Sequence, residues 1–369
     1  MSLHVKYLHV LWFDESRFNG MLIDKINNTP AFFDKSEHLF VTPHERTFKS
    51  FSCIDNIELV RVKNKEGADV INAVGSRCDW IIMHGICNWI EILRIRPKYL
   101  HKIIWRTWGG NKVSTSFSSK RILRMQIKKG LYSIAVNRVN KFAAVGIHNI
   151  VDKYELKGII KKPPMYVLPY WQKGRDEILR KILQNKQKHD QKEINVMIGH
   201  SGYYEDNHIN VMKELERFKN EAIHLYLVLA YGDRDYVNEI KQYALQAWKD
   251  KVTIVEDYKC YDEYVLFLDT IDIAILDSPV QNALGTIALL LFLKKKVFLN
   301  AEGVMFQAFR YYNIPCGTVE SIGRIRFSDF SAPVKYLTDG WKNLSVETDE
   351  YCYNCWVKLL QELEMRGKK

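Results

Sequence analysis

The stretch Ile194–Gly232 reads INVMIGHSGYYEDNHINVMKELERFKNEAIHLYLVLAYG, and its pattern decides the fold. The apolar run Ile194–Ile198 ends in a turn of small residues, a helical stretch covers Asn207–Lys219, and a second apolar run covers His224–Leu229. Strands that are buried on both faces of a parallel sheet read as continuous apolar runs. The stretch therefore predicts a strand–helix–strand unit with two parallel strands.

The same alternation extends outward over the whole chain. In the second half, further strands are predicted at Val252–Val255, Ile273–Leu276 and Val297–Leu299, and helices at Asp235–Asp250, Tyr261–Asp269 and Gly285–Leu293. In the first half, strands are predicted at Val5–Leu11, His38–Val41, Ile57–Val62, Trp80–His84, Ile103–Thr107, Phe142–Val145 and Tyr166–Leu168, and helices at Lys65–Val74, Asn88–Ile95 and Ser118–Lys129. We therefore predict an α/β protein built from two Rossmann-like domains.

A composition change marks the boundary between the two domains. Lys161–Pro164 closes the first half with two lysines and two prolines, and the charged stretch Lys173–Lys192 opens the second half. We expect a first domain at residues 1–165, a second at 166–340, and a C-terminal helix at 341–369 that packs back on the first domain.

The positive charge of the chain is concentrated in one segment, Ile92–Val151, which we call the basic window. It holds thirteen Lys and Arg residues and no Asp or Glu, whereas the net charge of the whole chain is +11. A local concentration of positive charge attracts the phosphates of a nucleic acid or of a membrane surface. Apolar residues such as Ile122 and Leu123 alternate with the cations and favour anionic lipid of the inner leaflet. The alternative is a solvated helix face whose acidic partners lie elsewhere.

Within the basic window, four cations fall on the predicted helix Ser118–Lys129. We call them the basic quartet: Lys120, Arg121, Arg124 and Lys128. No aromatic spacing or module typical of nucleic-acid binding accompanies them, so we expect no nucleic-acid partner.

Other features of the sequence indicate where in the cell the protein is found. No run of about 18 apolar residues is present, and the N-terminus lacks the pattern of a secretion signal. The seven cysteines are odd in number and scattered, which fits a reducing cytoplasm, and Cys352 and Cys355 have no second pair at zinc spacing. We expect a cytoplasmic protein that binds peripherally to the inner face of the cell membrane, without a metal site.

Small residues follow two strands of the second half, where ligands of parallel sheets bind. Ser201 and Gly202 form a turn before a helix that begins near Asn207, and Gln281 precedes Gly285 and Thr286 at another helix start. Backbone N–H groups at such positions suit a diphosphate, although an ordinary turn and a Thr helix cap explain them equally well. Tyr231 ends a third strand and is either a stacking surface for a nucleobase or a packing residue.

Polar and aromatic residues also follow strands of the first half. His84 is either a general base, because its pKa lies near working pH, or a satisfied structural histidine. Trp108, beside Gly109, is either an exposed ring against which a sugar can pack or a buried core residue. The remaining candidates for this end of the sheet are His9, Asp14, Asn88 and Asn111.

Taken together, these segments resemble the TDP-N-acetylfucosamine:lipid II N-acetylfucosaminyltransferase family of enterobacterial common antigen synthesis. The resemblance rests on short segments in the same order: His9 to Asp14, His84 to Asn88, Trp105 to Gly109, Ser201 to Ile209, Tyr261 to Tyr264, and Gln281 to Thr286. It implies the GT-B architecture, in which two Rossmann-like domains face each other across a cleft.

The resemblance also implies a function and its site. A nucleoside-diphosphate sugar, TDP-N-acetylfucosamine or similar, would bind Ser201, Gly202, Asn207, Tyr231, Gln281, Gly285 and Thr286 of the second domain. An undecaprenyl-diphosphate-linked saccharide would bind His9, Asn88, Trp108, Gly109 and Asn111 of the first domain, with His84 or Asp14 as catalytic base. Helix N-termini and basic side chains would neutralise the diphosphate without a metal or other cofactor.

Three other functions stay open from the sequence. The first is a nucleic-acid-binding protein that uses the basic window, and the second is a sugar-binding relative without catalytic activity. The third is a transferase of capsule or lipopolysaccharide synthesis that uses a UDP-sugar.

Overall fold

The computed structural model describes residues 4–11, 16–85, 89–107, 122–169, 171, 184, 193–336, 338–345 and 349–367. The chain divides into two compact units. One comprises Met1–Lys173 with Glu347–Lys369, and the other comprises Gly174–Val346. The division after Lys173 differs from the predicted boundary at residue 165, because the last strand of the first sheet lies beyond the two prolines.

The first unit contains a seven-stranded parallel sheet. Its strands are β1 Val5–Leu11, β2 His38–Thr42, β3 Ile57–Leu59, β4 Cys78–His84, β5 Ile103–Arg106, β6 Ala144–Ile147 and β7 Met165–Val167. Their order across the sheet is β3-β2-β1-β4-β5-β6-β7, so the winding reverses between β1 and β4. This is the doubly wound arrangement that the strand–helix alternation predicts.

The second unit contains a six-stranded parallel sheet. Its strands are β8 Ile194–Ile198, β9 Ile223–Val228, β10 Val252–Val255, β11 Ile273–Leu276, β12 Lys296–Leu299 and β13 Gly317–Thr318. The order β10-β9-β8-β11-β12-β13 places the switch point between β8 and β11. The predicted fold class, two Rossmann-like α/β domains, is confirmed.

Helices cover both faces of the sheets. They are α1 Ser16–Asn28, α2 Glu45–Ser50, α3 Gly67–Val74, α4 Ile122–Val139, α5 Ile150–Glu155, α6 His208–Leu215, α7 Arg234–Trp248, α8 Tyr261–Thr270, α9 Leu284–Phe292, α10 Val304–Tyr311, α11 Val319–Ile322, α12 Phe327–Ser331, α13 Lys342–Ser345 and α14 Asp349–Gly367. None of the helices in the described ranges is long and apolar enough to cross a bilayer. The apolar stretch in α9 is instead buried against the second sheet.

The first unit has one apolar core on each face of its sheet. Leu8 and Val10 of β1 point to the face that α3 and α4 cover. Tyr7 and Leu11 point to the opposite face, which carries α1 and the C-terminal helix α14. Trp356 of α14 is fully buried there. Because side chains alternate along a strand, His9 also points toward α14.

Candidate functional site

The loop that follows β8 at the switch point is organised by one buried carboxylate. Asp206 is 1% exposed, and its Oδ2 accepts the backbone N–H groups of His200 at 3.2 Å and Ser201 at 3.0 Å. The Ser201 hydroxyl donates to the same oxygen at 2.8 Å. The N–H of Gly202 donates to the carbonyl of Tyr231 at 2.6 Å. The donors that we predicted for a diphosphate at Ser201 and Gly202 are therefore used within the protein.

Gly202 has a packing role instead. It forms a parallel bridge with Gly232 of the loop after β9. A Cβ atom on Gly232 would clash with the backbone of Gly202, and a Cβ atom on Gly202 would clash with the side chain of Val237 in α7. Gly232 also has a φ of 148°, which favours glycine. The small residues of this turn thus allow the loops after β8 and β9 to touch.

The start of α9 offers unused donors. Its N-cap residue, Ala283, has a left-handed φ of 55° and provides no side-chain cap. In the described part of the chain, no acceptor faces the N–H groups of Leu284, Gly285 and Thr286. A Cβ atom on Gly285 would meet no atom within 4 Å, so the space above it is open. Free N–H groups and the positive end of a helix dipole together form an anion site.

The other predicted donor-binding residues differ in accessibility. The Thr286 hydroxyl lies 2.9 Å from the Tyr264 hydroxyl and is buried, and Gln281 is buried as well. Tyr231 is 50% exposed, and its ring lies edge-on to the rings of His200 and Tyr203, each at 6.2 Å between centroids. Tyr231 is thus the member of this set that can offer a ring face to a base.

Amide–carboxylate hydrogen bonds connect the strand ends around the switch point. Asn282, just before α9, donates to Asp206 Oδ1 at 2.7 Å. Asn207, at the start of α6, donates to Asp277 Oδ2 at 2.7 Å, and Asn300 donates to the other oxygen of Asp277 at 2.8 Å. Burial raises the pKa of Asp277. Burial alone would also raise the pKa of Asp206, but its contacts with His200 and Ser201 hold that pKa below the usual carboxyl value. Asn207, a predicted donor-binding residue, therefore has a role in joining the loops.

In the first unit, three buried imidazoles form a row. His9 Nδ1 lies 3.1 Å from His84 Nε2, and His9 Nε2 lies 2.9 Å from His38 Nδ1. Burial lowers the pKa of His38 to about 4 and the pKa values of His9 and His84 well below the ordinary value. The row is therefore neutral at physiological pH.

The C-terminal helix covers this row. The Trp356 ring lies 6.2 Å from His9 and 6.5 Å from His84 between centroids, and the Arg106 guanidinium lies 5.3 Å from the same indole. His84 is only 3% exposed. A general base must reach its substrate, and burial opposes the charge that it gains. The structure therefore favours a structural role for His84 and His9 over the catalytic and acceptor-binding roles that the sequence indicated.

Several predicted residues cannot be placed. Asp14, Asn88, Trp108, Gly109, Asn111, Lys120 and Arg121 lie outside the described residues. Arg124 and Lys128 lie in α4, but their side chains are outside the description. Among the residues that are described, no group of three His, Cys, Asp or Glu side chains is arranged to hold a metal ion.

Two further polar residues near strand ends were not predicted from the sequence. Glu91 follows β4 in the short helical segment Trp89–Arg94 and is 6% exposed. Burial, with a smaller contribution from Asp69, raises the pKa of Glu91 to about 7. Its only signal in the sequence is an acid inside the apolar run Trp89–Leu93. The second residue is His200, which the sequence presents merely as part of a turn.

Solved structures of other proteins share this fold over nearly the whole chain. A glycosyltransferase from Rickettsia africae is 13% identical with a TM-score of 0.57, and the match covers 98% of this chain and 97% of that one. A UDP-forming α,α-trehalose-phosphate synthase from Burkholderia vietnamiensis is 11% identical with a TM-score of 0.59, covering 98% and 100%. The Anabaena protein HepE, solved with UDP-glucose, is 13% identical with a TM-score of 0.54, covering 99% and 100%. At these identities the likeness shows the fold alone.

The sequence also matches one protein family over most of its length. The 4-alpha-L-fucosyltransferase family, glycosyl transferase group 56, matches residues 5–319. The prediction of a glycosyltransferase is thereby confirmed. Because the match spans both parallel sheets, the chain belongs to glycosyltransferase group 56, the family of 4-alpha-L-fucosyltransferases.

Proposed function

We propose that this glycosyltransferase moves a fucose-like deoxy or acetamido sugar from a TDP-sugar, such as TDP-N-acetylfucosamine, to a lipid-linked saccharide. The observation that carries the proposal is the start of α9, which has no side-chain cap and has open space next to Gly285. It lies after β11, one of the two strands at the switch point of the second sheet. Ligands of doubly wound sheets bind at this position.

The donor would bind through its diphosphate and its base. The N–H groups of Leu284, Gly285 and Thr286 would donate to phosphate oxygens, and the helix dipole adds about half a positive charge at that end. The half-exposed ring of Tyr231 would stack on the nucleobase. A nucleotide sugar is also what HepE holds in its solved structure.

The transfer step would follow from this placement. The acceptor hydroxyl attacks the anomeric carbon, the bond from that carbon to the diphosphate oxygen breaks, and the electron pair leaves with the nucleoside diphosphate. The start of α9 would stabilise the charge that develops on the leaving diphosphate. The acceptor proton would pass to a base of the first unit. Because His84 is buried, Asp14 is the stronger of the two predicted candidates.

The acceptor would be an undecaprenyl-diphosphate-linked saccharide at the inner face of the cell membrane. The basic window supplies cations for its diphosphate and for anionic lipid, and Ile134 adds an exposed apolar side chain on the described part of α4. The protein would thus bind peripherally to the membrane. There it would act in the synthesis of a surface polysaccharide such as enterobacterial common antigen.

A transfer assay tests the proposal. The protein is incubated with an undecaprenyl-diphosphate-linked disaccharide and, separately, with TDP-, UDP- and GDP-sugars, and the lipid extract is analysed by mass spectrometry. We expect one sugar to be added from the TDP-sugar. Transfer from a UDP-sugar alone would favour a capsule or lipopolysaccharide enzyme. Nucleotide binding without transfer to any acceptor would indicate a sugar-binding relative without activity.

A further inference from the structure

His200 is positioned to interact with a charged ligand at the switch point. It follows β8 directly after Gly199, and its Nδ1 lies 2.9 Å from Asp206 Oδ2. The Asp206 side chain is almost fully buried, whereas the His200 side chain is 13% exposed. The Nδ1 atom of His200 is fully buried and contacts Asp206 Oδ2 without the geometry of a hydrogen bond, and Nε2 has no hydrogen-bond partner among the described residues. The imidazole therefore presents Nε2 outward and holds Nδ1 against a carboxylate.

The same carboxylate connects His200 to the start of α9. Asp206 Oδ1 accepts a hydrogen bond of 2.7 Å from Asn282, and Asn282 immediately precedes Ala283, the N-cap residue of that helix. The His200 ring also lies 6.2 Å from the ring of Tyr231, nearly perpendicular to it. His200 is thus connected through Asp206 to the segment that precedes α9, and it lies next to the exposed ring of Tyr231.

We propose that His200 is a catalytic residue whose Nε2–H binds the diphosphate of the donor and stabilises it as it leaves, and that Asp206 is its positioning residue. This proposal rests on the proposed function. When the bond from the anomeric carbon to the diphosphate breaks, its electron pair stays on the phosphate oxygen, and the imidazolium donates a hydrogen bond or its proton to that oxygen. A carboxylate behind Nδ1 stabilises the imidazolium and fixes the direction of Nε2, as an orienting carboxylate does for other catalytic histidines.

The proposal predicts that replacing His200 weakens binding of a nucleoside diphosphate more than binding of a monophosphate, because the Nε2–H donor is used for the diphosphate. Among the described residues, the titratable groups that face His200 include Asp206 from its own loop, His208 from α6 and Tyr231 from the loop after β9. Burial lowers the pKa of His208 to about 4, the pKa of Asp206 is below its usual value, and burial raises that of Tyr231. None of these three therefore titrates near neutral pH.

Calorimetry with TDP and TMP at pH 7 tests the proposal. We expect His200→Asn to lose about 10- to 100-fold in TDP affinity at pH 7, the range for one charge-assisted hydrogen bond, and to bind TMP nearly as the native protein does. His200→Gln, whose longer side chain carries its amide donor closer to the position of Nε2 than Asn does, should recover part of the affinity. Asp206→Asn, which removes the carboxylate next to Nδ1, should weaken binding of TDP more than binding of TMP.

His224→Asn is the matched control. His224 lies near the amino end of β9, and its Nε2 is 2.8 Å from the Thr253 hydroxyl, so the substitution removes an imidazole of the same domain away from the carboxyl ends of the strands. Thermal unfolding of each variant verifies the fold. Native-like TDP affinity in folded His200→Asn would overturn the inference while leaving the proposed function intact. Failure of the native protein to bind any nucleoside diphosphate would overturn both.

Discussion

Replacing Gly285 by alanine should weaken nucleotide binding without destabilising the protein. Gly285 lies in the first turn of α9, its φ is not positive, and an added Cβ meets no atom within 4 Å. At such a position alanine reduces the entropy of the unfolded chain and stabilises by about 0.4–1 kcal/mol. For a unit of this size we expect Tm to rise by about 1–4 °C.

The same methyl group would occupy the space that the proposed diphosphate needs. A phosphate oxygen that accepts the N–H of Gly285 must come within about 2.9 Å of the backbone nitrogen, close to the new Cβ. Loss of one charge-assisted hydrogen bond costs about 1.5–3 kcal/mol, which corresponds to a roughly 10- to 100-fold weaker Kd. Stability and affinity should thus move in opposite directions.

Calorimetry with TDP and UDP, together with thermal unfolding, measures both effects. Gly130→Ala is the control, because Gly130 is exposed in the helix α4 of the first unit and its Cβ would also meet no atom within 4 Å. It should leave nucleotide affinity unchanged. If Gly285→Ala binds both nucleotides as tightly as the native protein, the diphosphate does not lie at the start of α9 and the reasoning fails.

Three further predictions concern the first unit. His84→Ala should lower the free energy of unfolding by about 2–4 kcal/mol, because it opens a cavity below Trp356 and removes a hydrogen-bond partner of His9. Chemical denaturation measures this change, and an unchanged midpoint would contradict a structural role for His84. Because the pKa of Glu91 is about 7 in the folded state against an ordinary value of 4.5, the native state retains a proton that the unfolded state loses, and stability should fall as pH rises from about 4.5 to 7. Glu91→Gln should remove this loss of stability and be more stable than the native protein above pH 7 by about 1–3 kcal/mol in urea denaturation. Parallel curves of unfolding free energy against pH for the two proteins would contradict a raised pKa of Glu91. Changing the basic quartet to glutamine should remove about 4 kcal/mol of attraction to anionic vesicles, measured by co-sedimentation. Binding of the native protein should weaken as salt rises. Equal sedimentation of both proteins would reject membrane docking.

The strands were the most predictable part of the fold. The bounds of β1, β8, β10 and β11 equal those expected from the sequence, because each is a short, mostly apolar run with polar residues or turns at its ends. The two-residue strand β13 was not predicted, since two residues carry no periodicity. Helix α10, Val304–Tyr311, was missed as well, because its short apolar pattern contains polar residues.

The candidate site was less predictable, because its roles depend on contacts between distant segments. The sequence identified Ser201 at a strand end but could not show that its N–H and hydroxyl donate to Asp206. The position of His84 after an apolar strand suggested exposure, yet Trp356, which covers it, comes from a helix near the end of the chain. Local patterns locate strand ends, whereas tertiary contacts decide which side chains there stay accessible.

The return of α14 to the first unit has a consequence for folding during synthesis. All residues of the second unit, Gly174–Val346, leave the ribosome before α14 does. Until then, the face of the first sheet that contains Tyr7 and Leu11 lacks Trp356 and the other apolar residues of α14. We therefore expect the second unit to complete its core before the first, although the first begins earlier. The nascent protein would expose apolar surface late in translation, and chaperones that bind such surface would act at that stage.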